Sequence, residues 1–279
     1  MYNYSLPNGV KIPCIGYGTL NIENGEKTIE CIKNAIKNGY RHIDSAEVYV
    51  NDSSLGIAIK ESNIKREELF ITSKLSNDNR GYINAIKSFN ETLKRLQLEY
   101  LDLYLIHWPL ARGEREYCNK INVETWKALE DLYKDGKIKA IGVSNFLEHH
   151  IKPVMEKATI MPMINQLEIH PGQRQEKIVE FCKANNILVE AWGPLGSGKM
   201  LNNFVLNEIA KKYNKTVAQL CIKWCLQQNI IPLPKTENID RMKENLNVFD
   251  FEISSEDMKE INNIPYFAGS GLHPDKVDF

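Results

Sequence analysis

The sequence predicts one α/β domain, a (β/α)8 TIM barrel of eight parallel strands, and two features of the chain carry this prediction. First, eight short and mostly apolar segments alternate with amphipathic segments along its 279 residues, a pattern typical of a parallel sheet covered by helices. Second, polar residues stand at the carboxyl ends of most of these segments, where barrel enzymes assemble their active sites. Since one such barrel fills about 250 residues, we expect residues 1–279 to form a single domain.

The strands can be placed in order from the amino terminus. The turn sequence PNG predicts a β-hairpin over about residues 2–13, which plugs the barrel floor. Residues 15–19 form the first predicted strand, and the amphipathic segment 26–38 forms its helix, which ends at Gly39. The other seven predicted strands are, in one-letter code, YRHIDS, LFITSK, YLDLYLIH, IKAIGVS, MPMINQLEI, ILVEAWG and IIPLPK.

Between these strands, apolar residues at helical spacing predict the covering helices. Helices are expected after Asp52, over residues 82–96 and over residues 123–134. Residues 254–264 predict an extra helix, and the chain then ends in an irregular tail that begins at Pro265. The predicted architecture is therefore a hairpin, eight βα units, and a carboxyl-terminal extension.

The competing fold is an open, doubly wound sheet, which binds a dinucleotide through a G-x-G-x-x-G motif after its first strand. Gly16 and Gly18 provide the first two glycines, but Asn21 stands where the third belongs. No change of composition and no Pro- or Ser-rich linker divides the chain into two domains. The failed motif favours the barrel.

A second glycine-rich pattern, from Gly193 to Lys199, satisfies the G-x-x-x-x-G-K spacing of a phosphate-binding P-loop. Met200 follows it where a P-loop has the Ser or Thr that holds magnesium, and Pro194 removes an amide donor. The pattern therefore indicates a flexible loop after the seventh strand and disfavours a nucleoside triphosphatase.

Composition and charge narrow the possible partners and the compartment. The chain has 35 basic and 36 acidic residues in a mixed distribution, which argues against a nucleic-acid or anionic-membrane surface. Six cysteines without a C-x-x-C pair indicate free thiols in a reducing compartment. No signal peptide or membrane span is recognisable, and no metal-ligand spacing occurs at the strand ends. We expect a cytoplasmic protein without a metal.

Four side chains at or near predicted strand ends suggest proton transfer to a carbonyl oxygen. They are Asp44, Tyr49, Lys74 and His107. A tyrosine hydroxyl has a reference pKa of about 10, and a lysine ammonium beside it should lower that value. Asp44 would keep Lys74 charged, while His107, neutral or sharing a proton with the phenol, would orient the carbonyl. The alternative is a buried Asp44–Lys74 salt bridge with a core histidine, but the four together favour a catalytic group.

The stretches GYRHIDSAEVY, ITSKL, LIHWP, GVSNF, NQLEIHP, AWGPLG and PKTENIDRMKEN together resemble the aldo-keto reductase family from about Ser5 to Phe279. The short tail is similar to the prokaryotic branch that includes diketogluconate and methylglyoxal reductases. The resemblance implies a barrel that binds extended NADPH without a Rossmann domain and passes hydride to an aldehyde or ketone. It also implies that Tyr49 is the general acid, Lys74 and Asp44 tune it, and His107 orients the carbonyl.

The resemblance further implies which residues contact the cofactor. The residues that would hold the nicotinamide carboxamide are Ser144, Asn145 and Gln166, and the one that would stack on the nicotinamide ring is Trp192. Those that would clamp the 2′-phosphate are Lys235, Thr236 and Arg241. Those near the adenine would be Glu244 and Asn245, and those at the pyrophosphate Leu195 and Ser197. The same set includes Gly18, Thr19, Asp44 and Gly193.

Other interpretations of these cofactor residues stay open. Trp192 can instead be a core residue, and Arg241 a solvated residue of a first helical turn that Asn238 caps. Glu237 and Asp240 place negative charge beside the proposed clamp, so NADH remains a weaker alternative to NADPH.

The substrate would lie against Tyr49, His107 and Trp108 by the same resemblance. Leu20 and Ser76 stand where many members carry a large aromatic residue, so we expect a less aromatic pocket. Residues 110–122, the loop after strand seven and the tail should set preference. Arg112 and Arg115 can meet an anionic substrate, although Glu114 and Glu116 favour a solvated charge run.

The sequence thus leads to two functional hypotheses. The first is a broad NADPH-dependent reductase of small aldehydes, ketoaldehydes or keto sugars, and the second is a catalytically weak NADP(H) sensor on the same barrel. The complete set of four catalytic side chains favours the enzyme. The resemblance suggests a monomer.

Overall fold

The chain folds into a closed parallel barrel with an amino-terminal hairpin, as predicted. The structure is a computed structural model that describes residues 2–110 and 117–279. Strands β1 and β2 form the antiparallel hairpin, with Tyr4 opposite Ile12. Strands β3 to β10 pair in sequence order in one parallel sheet. The strands are β1 (Asn3–Ser5), β2 (Lys11–Pro13), β3 (Tyr17–Gly18), β4 (His42–Asp44), β5 (Phe70–Leu75), β6 (Leu103–Ile106), β7 (Ile141–Ser144), β8 (Ile164–Glu168), β9 (Leu188–Trp192) and β10 (Ile230–Leu233).

Two backbone hydrogen bonds close the sheet into a barrel. The amide of Gly16 donates to the carbonyl of Pro232 over 3.0 Å, and that of Gly18 donates to Pro234 over 3.1 Å. A Cβ on Gly16 would lie 2.4 Å from a Leu233 side-chain carbon. Glycine at this seam therefore lets the first and last strands approach closely enough to pair.

Ten α-helices among the described residues cover the barrel and its ends. They are α1 (Glu26–Lys37), α2 (Asp52–Glu61), α3 (Tyr82–Leu96), α4 (Cys118–Lys134), α5 (Glu148–Lys157), α6 (Glu176–Ala184), α7 (Phe204–Lys212), α8 (Val217–Leu226), α9 (Ile239–Leu246) and α10 (Ser255–Asn262). Helix α3 has the predicted bounds, whereas α4 begins before the predicted residue 123. Within the described ranges, no helix combines the length and apolarity needed to cross a membrane.

The barrel interior changes in character from floor to mouth. An apolar cluster that includes Leu6 and Ile12 of the hairpin fills the floor. Nearer the mouth, the interior holds buried polar side chains, among them His42, Lys74 and Glu190, each with no exposed surface. Since buried polar groups need partners, this upper layer must be satisfied by its own hydrogen bonds and ion pairs.

The C-terminal tail, which we define as residues 265–279, is fixed across the mouth of the barrel. The amide of Phe267 donates to the carbonyl of Gly172 over 3.1 Å. Ser270 donates from its amide and hydroxyl to the Glu168 carboxylate over 2.7 and 2.6 Å. The Asn77 amide donates to the carbonyl of Phe279 over 3.0 Å. The tail thus belongs to the wall of the central cavity.

The contact between α2 and α3 gives a test of the helix layer. A Cβ on Gly56 would lie 2.3 Å from the Leu96 carbonyl oxygen, so Gly56→Ala must push the two helices apart. We expect a loss of about 1–3 kcal/mol in the free energy of unfolding, measured by urea denaturation. Ser53→Ala, at an exposed position of the same helix, is the control and should be within about 0.5 kcal/mol of the parent. Equal stability of the two variants would contradict the close packing.

Candidate active site

Polar side chains from successive strand ends meet in one cavity of about 1030 Å³. Parallel pairing aligns the ends, as in Gly18 opposite Asp44 and Ser144 opposite Gln166. The carboxyl ends of barrel strands share one face, so residues distant in sequence line the same cavity. Those predicted residues that line it are Gly18, Asp44, Tyr49, His107, Trp108, Ser144, Asn145, Gln166, Trp192, Gly193, Leu195, Ser197, Lys235, Thr236, Arg241, Glu244 and Asn245.

The ion pair between Lys74 and Asp44 lies directly beneath this cavity. The Lys74 Nζ donates to both Asp44 carboxylate oxygens and to the Ser45 carbonyl, each over 2.8 Å. Burial acts to lower the pKa of Lys74, but Asp44, with smaller contributions from Tyr49 and Glu190, raises it, and the net direction is upward. Lys74 is therefore held as an ammonium at neutral pH.

Tyr49 approaches the ammonium from a one-turn 3-10 helix, Glu47–Tyr49, that follows β4. The Lys74 Nζ lies 5.1 Å from the centre of the Tyr49 ring. Burial raises the pKa of Tyr49 by more than Lys74 lowers it, so the net direction is upward. The expectation of a lowered Tyr49 pKa was wrong in its net direction, because sequence reveals the charged partner but not the desolvation. Tyr49 keeps its proton at neutral pH.

His107 lies across the cavity floor from Tyr49. The two rings meet edge to face, with their centres 6.0 Å apart. Burial, and to a lesser extent the Lys74 charge, lowers the pKa of His107 well below its ordinary value. A neutral imidazole can donate one hydrogen bond from one ring nitrogen, which is what orienting a carbonyl oxygen requires.

Asn145 anchors a group of polar residues on the opposite wall. Its backbone has a φ of 62°, a left-handed conformation that asparagine tolerates. Its Nδ2 donates to the His107 carbonyl over 3.0 Å and to the Ser144 hydroxyl over 3.1 Å. Its Oδ1 accepts from Trp192 Nε1 over 2.8 Å. The indole is thereby fixed at the cavity wall, which favours a binding surface over plain core packing.

Gln166 connects this wall to the ion pair and to a carboxyl group absent from the sequence predictions. Its Nε2 donates to Asp44 Oδ1 over 2.8 Å and to Glu190 Oε2 over 2.9 Å. Burial, with a further contribution from Asp44, raises the pKa of Glu190 to about 8. The only available sequence signal for Glu190 was a carboxylate in the middle of the otherwise apolar strand β9.

The other end of the cavity carries the proposed phosphate clamp. The Lys235 Nζ donates to Glu237 Oε1 over 2.7 Å, so the cation is partly neutralised. Asn238 caps α9 by accepting from the Arg241 amide over 3.0 Å. Arg241 is exposed on the first turn of that helix. Asn238 is thus a helix cap and Arg241 a solvated residue of the first helical turn, and both are compatible with a phosphate clamp because Arg241 lines the cavity.

Several predicted residues do not line the cavity. Thr19 is buried, and its hydroxyl donates to the Asp44 carbonyl over 2.9 Å, so its side chain supports the wall from behind. Lys74 lies beneath the surface, and Ser76 is buried at the start of a turn. Arg112 and Arg115 fall outside the described residues.

The loop after strand seven and the tail, which were predicted to set substrate preference, also line the cavity, through Pro194, Gly198, Ser270, Leu272 and Phe279. Further lining residues were not predicted, among them Asn21, Val48, Leu201, Asn207, Lys211, Lys215, Val217 and Ala218. Four of these lie on α7 or α8, and not at strand ends. Helical spacing alone could not show which of them would face the barrel mouth.

The proteins that are similar to this chain are consistent with the geometry of the cavity. Residues 14–265 match the model of the Aldo/keto reductase family. The chain belongs to the aldo/keto reductase family. The glyoxal reductase of Bacillus subtilis (strain 168) is 48% identical over 274 residues, which are 98% of this chain and 96% of the relative.

Solved structures agree with this assignment. MGS-M4, an aldo-keto reductase enzyme from a Medee basin deep-sea metagenome library, superposes with a TM-score of 0.93 at 41% identity, covering 99% of this chain and 100% of that chain. An aldo-keto reductase from Bombyx mori in complex with NADP gives 0.87 at 33% identity, covering 95% and 92%. The prediction of an aldo-keto reductase, an oxidoreductase that acts on carbonyl groups with NADP(H), is confirmed at the level of the family.

The buried histidine beneath the site predicts how stability depends on pH. Burial, and then Lys74, lowers the pKa of His42 to about 3. Because this lies below the unfolded value, the neutral ring stabilises the fold above about pH 6.5, and that stability is lost as pH falls toward 3. We expect His42 to account for about 1.4 kcal/mol of unfolding free energy per pH unit below pH 6.5.

Urea denaturation between pH 7 and pH 5 measures this contribution. In His42→Gln, the free energy of unfolding should fall by about 2 kcal/mol less between pH 7 and pH 5 than in the parent, because glutamine does not titrate in this range. His149→Gln, at an exposed position, is the matched control. An unchanged pH slope in His42→Gln would show that this ring is not buried in the neutral form.

Proposed function

We propose that this chain reduces small aldehydes and ketoaldehydes with NADPH, and that Tyr49 donates the proton with support from Lys74, Asp44 and His107. The observation that carries the proposal is the Lys74 ammonium, which is fully buried between the Asp44 carboxylate and the Tyr49 ring. Such a charge is costly to bury, and it lies where negative charge would develop on the tyrosine oxygen.

The residues around the cavity fit the cofactor that the family uses. Amide and hydroxyl groups of Ser144, Asn145 and Gln166 meet near the fixed indole of Trp192, a set that suits a flat carboxamide-bearing ring. Lys235 and Arg241 on the same cavity suit a 2′-phosphate dianion. When bound, NADPH supplies the hydride.

Proton transfer follows from the charges of the four catalytic side chains. Tyr49 is protonated in the free protein because burial raises its pKa. As a carbonyl oxygen gains negative charge, it becomes a strong acceptor for the tyrosine proton. The Lys74 ammonium then stabilises the phenolate, in a water-poor site where a charge acts strongly. Neutral His107 donates a hydrogen bond that aligns the carbonyl.

The expected substrates are compact. Leu20, Val48, Trp108 and Phe279 provide apolar surface on the cavity, and the Trp108 and Phe279 rings pack edge to face at 5.5 Å. Apolar walls with a few polar groups at the base suit small carbonyl compounds. The similarity to a glyoxal reductase supports ketoaldehydes and dialdehydes as the first compounds to test.

We further propose that residues 1–279 act as one domain, as a monomer in the cytoplasm without a nucleic-acid partner. Ser270, Leu272 and Phe279 of the C-terminal tail contribute to the cavity, which supports a single functional unit. The six cysteines are all free, in keeping with a reducing compartment. Near-balanced charge supports the absence of a polyanionic partner.

Replacing Tyr49 tests its assignment as the acid. Tyr49→Phe should lower kcat for methylglyoxal by about 10²–10⁴-fold, because the ring remains but the proton donor is lost. NADPH affinity, measured by fluorescence titration, should stay within about twofold. Tyr82→Phe, which removes the hydroxyl of a tyrosine on α3, should leave both values unchanged.

Two results would change the proposal. Turnover retained in Tyr49→Phe would mean that another group donates the proton. Wild-type protein that binds NADPH but reduces neither methylglyoxal nor aromatic aldehydes would be a cofactor sensor.

The clamp is tested by the double variant Lys235→Ala with Arg241→Ala. Because both cations are expected to face the 2′-phosphate, NADPH affinity should fall by about 100-fold while NADH affinity changes little. Lys243→Ala, on the same helix as Arg241, is the matched control and should leave the NADPH-to-NADH preference intact. Equal losses for both dinucleotides would remove the 2′-phosphate assignment.

A further inference from the structure

The side-chain nitrogen of Gln166 is saturated by two carboxyl groups inside the barrel. An amide Nε2 carries two hydrogens. One hydrogen meets Asp44 Oδ1 at 2.8 Å and the other meets Glu190 Oε2 at 2.9 Å. Asp44, Gln166 and Glu190 are 4%, 1% and 0% exposed, so water does not compete for these bonds.

This arrangement determines which part of the amide is available to the cavity. Asp44 is held as a carboxylate by Lys74 and can only accept, so the nitrogen of Gln166 must face it. With Nε2 fully used by Asp44 and Glu190, only Oε1 of Gln166 is left to contact a ligand. Gln166 itself lies on the cavity wall, where it presents an acceptor and no donor.

We propose that Glu190 is a positioning residue for the cofactor. By taking the second hydrogen of Gln166 Nε2, it fixes the amide so that Oε1 accepts a hydrogen bond from the NH2 group of the nicotinamide carboxamide. The inference rests on the proposed function, in which Gln166 contacts that carboxamide.

The bond from Gln166 is the one described hydrogen bond that this carboxyl group receives. Its second oxygen, Oε1, has no hydrogen-bond partner, and the closest described cation-forming group, His42 Nε2, is 3.8 Å away. That nitrogen is instead 3.0 Å from the Thr72 hydroxyl. A buried carboxyl with one satisfied oxygen costs stability, so its contribution is to orient Gln166.

Loss of Glu190 would release the amide. The second N–H of Gln166 would then lie without an acceptor in the barrel interior, which costs about 1–3 kcal/mol. A partial rotation of the amide, with the first N–H kept on Asp44, would relieve this by turning the second N–H toward the cavity. Two donors, the Gln166 amide and the carboxamide NH2, would then face each other.

Glutamine is the matched replacement at this position. Burial raises the pKa of Glu190 to about 8, so the group is a neutral acid at pH 7. A glutamine there has the same size and charge, and its oxygen can accept from Gln166. Methionine has a similar volume but offers no comparable acceptor.

The experiment compares two cofactors in four proteins at pH 7. Dissociation constants are measured by calorimetry for NADP+ and for its 3-acetylpyridine analogue, in which a methyl group replaces the carboxamide NH2. Wild type and Glu190→Gln should prefer NADP+ by about tenfold, because only NADP+ donates to Oε1. Glu190→Met should bind NADP+ about tenfold more weakly and show almost no preference.

Glu130→Gln controls for changing a buried carboxyl group. Glu130 is 1% exposed on α4 and accepts from the Ile160 amide, outside the barrel interior. This variant should retain the tenfold preference. If Glu190→Met does not fold, Glu190→Val, a smaller residue suited to a strand, provides the same comparison.

The ratio of the two dissociation constants distinguishes a change in the orientation of Gln166 from a general packing defect. A packing defect would weaken both ligands equally and leave the ratio at the wild-type value, which would overturn the inference. A wild-type ratio near one would also overturn it, since Oε1 would then receive nothing from the carboxamide. Wild-type protein that binds neither ligand would instead refute the proposed function.

Discussion

Burial around the ion pair of Lys74 and Asp44, reinforced by the charges of the pair, determines the protonation of the neighbouring groups. Both partners are buried, and such a pair persists only when its geometry is close and its other hydrogen-bonding positions are filled. The Lys74 charge contributes to keeping His42 and His107 neutral, and the Asp44 charge contributes to keeping Glu190 protonated. Burial together with this one ion pair therefore leaves His42, His107 and Glu190 uncharged, which limits the total cost of burying them.

The sequence allowed the strand-end residues to be predicted because the geometry of a parallel barrel brings them together regardless of spacing. Asp44 and His107 could be placed in one cavity on that basis alone. Gln166 and Glu190 stand opposite each other in the middle of β8 and β9. The family resemblance pointed to Gln166, but nothing pointed to Glu190, because an apolar segment buried on both faces does not indicate which residues point inward. Lys211 and Ala218 were missed because their approach to the cavity depends on how α7 and α8 pack.

Two features of the site could not be derived from the sequence for a related reason. Thr19 follows the first strand as expected, but its hydroxyl donates to the Asp44 carbonyl, and its contact with the cofactor stays a prediction. The net pKa of Tyr49 moves upward because desolvation outweighs the charge of Lys74. Sequence identifies possible partners, whereas the direction of a side chain and the loss of its water depend on the assembled barrel.

Asp44 connects the proton-donating groups to the groups that would hold the cofactor. Its Oδ1 accepts from both Lys74 Nζ and Gln166 Nε2. Any change at Asp44 therefore alters the environment of Tyr49 and the orientation of Gln166 together, so kinetics of an Asp44 variant cannot separate catalysis from binding. Glu190 contacts only the second of these groups by hydrogen bond. It is consequently the position where cofactor orientation can be changed while the Lys74–Tyr49 contact is left in place.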